Sequence, residues 1–195
     1  PYEHNKDDVR LDLCRKRAAE AGCTLAYLNM VGGQDELVFD GDTLVVAADG
    51  QVLERAGQFT EELVVVDLEL PAAVTATPAT EIGQGPLPPY EARERRVVER
   101  VGDEAEVYAA LTLAVHDYVH KNGFASVVLG LSGGIDSAVV AAIAADALGG
   151  ENVHGIALPS AYSSEHSMSD AVDAAERLGA RLRTVPLAPM VDAFV

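Results

Sequence analysis

The spacing of apolar and polar positions divides the chain into two parts with different predicted structure. In the first part, short apolar runs lie between turn residues, and Asp49-Gly50 is the sharpest hairpin signal among them. A helix is predicted over 6–21, where Val9 and Leu13 lie four residues apart. Strands are predicted over 24–30, 38–39, 43–47, 52–55 and 63–68, and a polar, glycine-containing loop over 31–37.

The second part alternates between helix and strand periods. An amphipathic helix is predicted over 104–121, with Val107, Leu111 and Tyr118 on one apolar stripe. Strands follow from Val127, over 153–158 and over 182–185, alternating with helices before Gly149 and over 169–178, and Met190 starts another helix. This order predicts an α/β fold with a doubly wound parallel sheet. Ligands of such sheets bind beyond the carboxyl ends of the strands.

A proline-rich stretch separates the two parts. Residues 70–90 hold five prolines and show neither period, which is typical of a stiff interdomain connector. We therefore predict one domain over 1–69, a linker over 70–100 and a second domain over 101–195.

Composition narrows the range of partners and compartments. The chain of 195 residues carries 14 basic and 31 acidic residues, a net charge of −17 that repels nucleic acid and anionic membranes. The chain contains no run of 18 apolar residues, so the sequence predicts no membrane span. Cys14 and Cys23 form neither a disulfide framework nor a zinc pattern, so we expect buried thiols and a cytoplasmic protein.

The strand that starts at Val127 leads into Ser132-Gly133-Gly134-Ile135-Asp136-Ser137 and then directly into an alanine-rich helix. A helix N-terminus after a tight turn presents free backbone N–H groups to an anion, and the two glycines allow a phosphate to approach closely. The serine hydroxyls add donors, and the aspartate is a candidate ligand of Mg²⁺. A glycine turn that merely joins strand to helix is the structural alternative.

Two common nucleotide-binding motifs are absent from this loop. The P-loop needs a lysine, and none follows Lys121. The Rossmann pattern needs three glycines in the order G-x-G-x-x-G, whereas here Gly130 is followed by Gly133 and Gly134. The loop therefore lacks the motifs by which kinases, GTPases and dehydrogenases usually bind their nucleotides.

Other polar residues have structural explanations at least as good as catalytic ones. His116 and His120 lie four apart on the predicted helix, a spacing that binds zinc, but no third ligand or H-E-x-x-H pattern accompanies them and a surface or interface role fits better. Asp35 and Glu36 are adjacent carboxylates within the predicted loop. Tyr162 is a candidate for stacking on a base or for loop packing.

The loop Ser132–Ser137 resembles the pyrophosphate-binding loop of the N-type ATP pyrophosphatases. From Val107 onward the chain resembles the synthetase domain of NAD synthetases, through residues 117–124, 128–137 and 158–167. Residues 1–68 resemble the C-terminal portion of a nitrilase-type glutaminase domain, through Pro1-Tyr2, Lys6, Arg10 and residues 27–41. GMP synthetase and asparagine synthetase share the loop but carry unrelated glutaminase domains, so this order is that of the glutamine-dependent NAD synthetases.

This resemblance implies a fold, a reaction and its ligands. The fold is the end of a nitrilase-like α-β-β-α sandwich, a linker and a doubly wound sheet like that of the adenine nucleotide α-hydrolases. Ammonia from glutamine would amidate deamido-NAD after its activation by ATP and Mg²⁺, with release of AMP and pyrophosphate. The implied partners are these small molecules and further copies of the chain in a homo-oligomer, without nucleic acid or membrane.

The resemblance also assigns residues. Lys6 would contact glutamine, Asp136 would bind the metal, and Ser163 and Ser164 would touch the nucleotide from a second loop. ATP would be bound by Gly130, Leu131, Ser132, Gly133, Gly134, Ile135, Asp136 and Ser137.

The glutaminase base, lysine and nucleophilic cysteine of the family would all lie upstream of Pro1, since neither Cys14 nor Cys23 stands in a matching position. We therefore expect a fragment that is inactive by itself. Two alternatives remain: another N-type ATP pyrophosphatase that adenylates a different acceptor, such as a base in tRNA, and an inert segment for interdomain packing and assembly.

Overall fold

A computed structural model describes residues 1–4, 7–69, 88–160 and 164–193. The first part contains one helix and five short strands. They are α1 (Asp7–Ala21), β1 (Leu25–Tyr27), β2 (Val31–Gln34), β3 (Leu37–Asp40), β4 (Leu44–Val46) and β5 (Val52–Arg55).

The strands of the first part form two antiparallel units. One sheet has the order β1-β4-β5, and β2 pairs with β3 in a separate hairpin. The predicted hairpin at Asp49-Gly50 is confirmed, and Gly50 has the positive φ of 88° that such a turn requires. Helix α1 covers the sheet by packing Cys14 and Ala18 against Leu44 and Val46. A small apolar core therefore holds this part together.

Two carboxylates are buried beside this core. The Asp40 side chain is 0% exposed, and both its oxygens accept hydrogen bonds of 2.9 Å from the Arg10 guanidinium. Asp42, 1% exposed, accepts bonds of 2.7 and 2.9 Å from Arg55, and Asn29 donates a further bond to Asp40. Buried charges need such full pairing because their desolvation is costly. The Arg10 that carries part of the resemblance is thus a structural residue.

The second part alternates helices with parallel strands. Its elements are α2 (Asp103–Lys121), β6 (Val127–Gly130), α3 (Ile135–Leu148), β7 (Val153–Ala157), α4 (Glu165–Leu178), β8 (Arg181–Thr184) and α5 (Ala188–Asp192). The strand order is β6-β7-β8.

The parallel sheet confirms the predicted α/β fold. Helices α3 and α4 contribute to one shared core, so they lie on the same face of the sheet. Their small residues Ala141, Ala171 and Ala175 form a core with Leu131. On the opposite face, Val128 is 70% exposed. Helices therefore cover one face of the sheet at β6.

Several sequence predictions about local structure were wrong. Residues 31–37 are not a loop, because β2 and β3 form a hairpin whose turn is Asp35-Glu36. The apolar run 63–68 is not a strand. Helix α4 begins at Glu165, four residues before its predicted start, because Ser164 caps it. Most of the predicted linker, residues 70–87, lies outside the described residues, whereas Val97 pairs with Arg55 at the edge of β5.

The buried faces of two helices also differ from the prediction. In α2 the apolar stripe is exposed at Leu111 and Tyr118, and the buried residues are Glu106, Ala110 and Val119. In α1, Val9 and Leu13 are likewise exposed, whereas Cys14 and Ala18 are buried. Cys23, predicted to be buried, is exposed. The faces that pack within this chain therefore carry mostly small or polar side chains.

Candidate nucleotide site

The predicted phosphate loop lies between the end of β6 and the start of α3. The Ser132 amide donates to Ser137 Oγ at 3.2 Å, and the Ser137 hydroxyl donates to the Gly134 carbonyl at 2.9 Å. The Ser132 hydroxyl therefore donates to Ser137 Oγ at 3.1 Å, and its oxygen accepts from the Gly134 amide at 3.3 Å. Both hydroxyls hold the loop closed on itself.

Gly133 places this loop against the first turn of α4. Its φ is +77°, and a Cβ added there would lie 2.1 Å from the Ser167 carbonyl oxygen. The next nearest atoms, at 2.8 and 2.9 Å, also belong to the Ser167 backbone, so no side-chain rotation could relieve the contact. The absence of a Cβ is what allows this loop to lie against the first turn of α4.

A hollow of about 210 Å³ lies beside this contact, at the carboxyl ends of β6 and β7. This is the edge of the sheet at which the sequence predicts ligand binding. The hollow is lined by Gly130, Leu131, Ser132, Ile156, Leu158, Pro159, Ser167 and Met168. Three of the predicted ATP-binding residues line it, whereas Ile135 and Asp136 are exposed on the first turn of α3.

The N-terminus of α3 offers backbone donors beside this hollow. The first intrahelical bond runs from the Ala138 amide to the Gly134 carbonyl at 3.1 Å, and no side chain caps the helix. The amides of Ile135, Asp136 and Ser137 therefore lack intrahelical acceptors. Together with the helix dipole, these groups favour an anion at this end of the helix.

Asp136 is the carboxylate in the first turn of α3, and it is exposed. No group of three possible metal ligands surrounds it, or occurs elsewhere, among the residues that the structure describes. Mg²⁺ is commonly held by one or two carboxylates together with substrate phosphates and water. A single exposed carboxylate beside the predicted phosphate loop fits that mode of binding.

The second predicted loop is only partly described. Ser164 is the N-cap of α4, where its Oγ accepts a 3.1 Å bond from the Ser167 amide and lies 2.8 Å from Ser167 Oγ. Ser163, Tyr162 and the predicted glutamine contact Lys6 lie outside the described residues. The structure thus gives Ser164 a capping role.

Ser167 and Met168 line the hollow but were not predicted as site residues. The signal that could have found them is the N-cap preference of Ser164, which starts α4 at Glu165 and places both residues in its first turn. Starting the helix at Ser169 instead removed them from consideration.

A second polar cluster joins the two parts of the chain. Asp117 on α2 accepts a 2.7 Å bond from the Gly33 amide, and Lys121 donates to the Gly33 carbonyl at 2.7 Å and to Asp117 at 2.8 Å. Burial acts to raise the pKa of Asp117, but the bonds from Lys121, His116 and Gly33 outweigh it and lower the pKa to about 2. Helix α2 is therefore hydrogen-bonded to the backbone of the β2–β3 hairpin.

No helix in the described part of the chain is both long and apolar enough to cross a bilayer. The sequence profile of the NAD synthase family matches residues 107–195, and that of the carbon-nitrogen hydrolase family matches residues 3–77. The loop and most of α2 thus lie within the first match, and the β2–β3 hairpin lies within the second.

Curated relatives match both parts together. The chain is 49% identical over 187 residues to a glutamine-dependent NAD(+) synthetase of Rhodobacter capsulatus, covering 96% of the chain and 31% of the relative. It is 41% identical to the enzyme of the same name from Aquifex aeolicus, covering 100% of the chain and 37% of the relative. The chain thus spans about a third of the length of these relatives.

A solved structure extends the likeness to the fold. The glutamine-dependent NAD+ synthetase of Acinetobacter baumannii, in complex with adenosine diphosphate, superposes with a TM-score of 0.81 at 32% identity. The match covers 100% of this chain and 34% of that one. Both parts and their junction are therefore shared with that protein.

Proposed function

Since the chain belongs to the glutamine-dependent NAD(+) synthetase family, we propose that it contributes to the ATP-dependent amidation of deamido-NAD to NAD, with glutamine as the source of ammonia. The observation that carries the proposal is the loop Ser132–Ser137, which meets α4 beside a hollow at the carboxyl end of the sheet. Because the chain spans about a third of its relatives, the activity proposed is that of the longer protein type to which it is similar.

The chemistry calls for a site of this kind. A carboxylate is a poor acylating group because oxide does not leave, whereas an acyl-adenylate releases AMP when ammonia attacks. The first step expels pyrophosphate, whose developing negative charge needs fixed donors. In our proposal the amides of Ile135, Asp136 and Ser137 receive this charge at the N-terminus of α3. The Ser132 and Ser137 hydroxyls hold the loop in the shape that directs those amides.

Asp136 would hold Mg²⁺ at this loop. When bound, Mg²⁺ supplies positive charge that offsets the charge of the phosphates. The Asp136 carboxylate is exposed and is positioned by the first turn of α3, so it can face a nucleotide without prior rearrangement of the helix. Because the chain carries a net charge of −17, local amides and the metal, and not a general positive field, would hold the anionic substrate.

The remaining assignments belong to the same proposal. The domains would be 1–69 and 101–195 with a linker between them, and Lys6 would contact glutamine. The glutaminase catalytic residues would be supplied by sequence outside these 195 residues. A cytoplasmic homo-oligomer would be consistent with the family.

Nucleotide binding tests the site in the chain itself. We expect calorimetry to show that ATP binds more tightly when MgCl₂ is present, and that Asp136→Asn removes most of this Mg²⁺-dependent gain. Asp170→Asn, which changes an exposed carboxylate of α4, is the matched control and should bind like the unaltered chain. An unchanged Mg²⁺ dependence in Asp136→Asn would remove that residue from the metal site.

The reaction is tested by a graft. Residues 1–195 would replace the matching segment of the Rhodobacter capsulatus relative, and AMP and pyrophosphate would be measured with and without deamido-NAD. We expect both products only when deamido-NAD is present. Formation of AMP with tRNA but not with deamido-NAD would support an ATP pyrophosphatase that adenylates a different acceptor. A folded graft that binds no ATP would support a role in interdomain packing.

A further inference from the structure

Two histidines on α2 lie one helical turn apart near the hairpin contact. His116 and His120 are both exposed, and their ring centroids are 4.2 Å apart with an interplanar angle of 33°. The nucleotide site does not use them. Side chains four residues apart on a helix are neighbours, so the two rings lie side by side on one face of α2.

Each ring has a hydrogen bond that fixes which of its nitrogens carries the proton. His116 Nδ1 lies 3.0 Å from Asp117 Oδ1, and His120 Nδ1 lies 2.7 Å from the His116 carbonyl oxygen. A carbonyl oxygen only accepts hydrogen bonds. The Asp117 carboxylate also accepts, since the Gly33 amide and the Lys121 ammonium group both donate to its other oxygen, Oδ2. Both Nδ1 atoms are therefore donors.

With Nδ1 protonated, the Nε2 atom of each neutral ring carries a free lone pair. This is the arrangement of metal-binding histidines, which generally donate their other N–H to a carboxylate or a backbone carbonyl. That partner fixes the tautomer and the ring orientation and makes Nε2 a better ligand. Both kinds of partner occur here, one for each ring.

We propose that His116 and His120 form a two-histidine site for a borderline divalent transition-metal ion such as Zn²⁺, bound through both Nε2 atoms. Water would complete the coordination, since the described residues contain no group of three possible ligands. Imidazole nitrogen suits Zn²⁺, Ni²⁺ and Cu²⁺, whereas Mg²⁺ prefers oxygen ligands. The site is thus distinct from the Mg²⁺ site proposed at Asp136.

Position gives this site a structural consequence. The Asp117 carboxylate that orients His116 also accepts the bond from the Gly33 amide. An ion bound by the two rings would therefore restrain the Asp117 side chain, which accepts the hydrogen bond from the hairpin.

Metal titration of the full 195-residue chain tests the proposal. Isothermal titration with ZnCl₂ would be compared for the unaltered chain, His116→Gln and His120→Gln, with circular dichroism to check that each variant is folded. His166→Gln is the control, because His166 is an exposed helical histidine with no second histidine one turn away. MgCl₂ serves as the hard-cation control.

We expect one Zn²⁺ to bind the unaltered chain and His166→Gln with equal affinity. Each of the other two variants should lose at least about tenfold in affinity, because only one ligand remains, and MgCl₂ should not compete. Binding of Zn²⁺ that is unchanged in either His116→Gln or His120→Gln would overturn the proposal. So would an affinity that falls equally in His166→Gln.

Discussion

Gly133 and Ser167 approach so closely that a Cβ on the glycine would lie 2.1 Å from the serine carbonyl oxygen. One residue belongs to the loop after β6 and the other to the first turn of α4, so this contact sets the distance between that loop and the helix. A motif that looks like a phosphate-binding turn is therefore also a packing contact.

A comparison of Gly133→Ala with a second glycine variant should show whether the contact with Ser167 matters beyond simple backbone strain. Gly123→Ala is the matched control, because Gly123 has a φ of +76° but open space around its Cβ position. The control should cost only the left-handed backbone penalty of roughly 1–2 kcal/mol. Gly133→Ala should cost more in the free energy of urea unfolding and should also weaken ATP binding, because α4 must move away. Equal stability and ATP affinity in the two variants would contradict this role of the contact.

Ser164→Ala should reveal how much the second loop contributes through capping. Loss of an N-cap hydroxyl costs about 1 kcal/mol of stability, within a range of roughly 0.5–2. Ser169→Ala is the comparison, since its hydroxyl donates to the His166 carbonyl within the helix and its loss should change stability by less than about 0.5 kcal/mol. Urea unfolding followed by circular dichroism measures both. If Ser164→Ala reduces ATP affinity without any loss of stability, the capping account is wrong.

The buried pair of Arg10 and Asp40 should be far more sensitive to substitution than an exposed pair. Asp40→Ala leaves the Arg10 guanidinium without its bidentate partner, which typically costs about 3–5 kcal/mol. Glu20→Ala breaks the exposed ion pair with Arg17 and should cost less than about 1 kcal/mol. Denaturant unfolding of both variants measures the loss of stability. Similar losses would show that burial does not make the Arg10–Asp40 pair the more sensitive of the two.

Asp117 should make the stability of the chain depend on acid pH. Its pKa in the folded chain, about 2, lies below the ordinary value of 3.8. A lowered folded pKa stabilises the fold above the ordinary value, and this contribution is lost as the pH falls from about 4 toward 2. The stability advantage of the unaltered chain over Asp117→Asn should therefore be largest above pH 5 and shrink below pH 4. An advantage that does not change with pH would show that the charge of Asp117 does not matter.

The elements that the sequence predicted well are those with strong local signals. The Asp49-Gly50 hairpin and helix α2 depend on turn chemistry and on helix period, which act between near neighbours. The hairpin over 31–40 was missed because Gly32 and Gly33 look like a loop. They are glycines because α2 lies against them: a Cβ on Gly33 would be 3.2 Å from Ala114 Cα. That requirement comes from a partner about 80 residues away along the chain.

The buried faces of the helices could not be predicted from hydrophobicity alone. A search for the apolar stripe of α2 selects Leu111 and Tyr118, yet the side that packs within the chain carries Asp117 and the buried Glu106. Glu106 is bonded to Gln58 and Arg100, so a polar network occupies a position where an apolar residue would be expected. Such networks depend on partners that the sequence does not bring into view.

The candidate site was predicted through its motif and not through its surroundings. Gly130, Leu131 and Ser132 line the hollow as expected for residues at the end of a parallel strand. Ser167 and Met168 enter the hollow only because α4 begins early and packs on Gly133. The assignment of ATP, Mg²⁺ and glutamine to individual residues stays a prediction.

Two side chains of α2 that stand one turn apart bind the N–H and the C=O of Gly33. Sliding the hairpin along the helix would break both bonds at once, and a substituted residue 33 would push against the helix backbone. The segment similar to carbon-nitrogen hydrolases and the segment similar to NAD synthases are therefore fixed in register with each other. Because both bonds link α2 to the same residue, a displacement of the helix would move the hairpin with it.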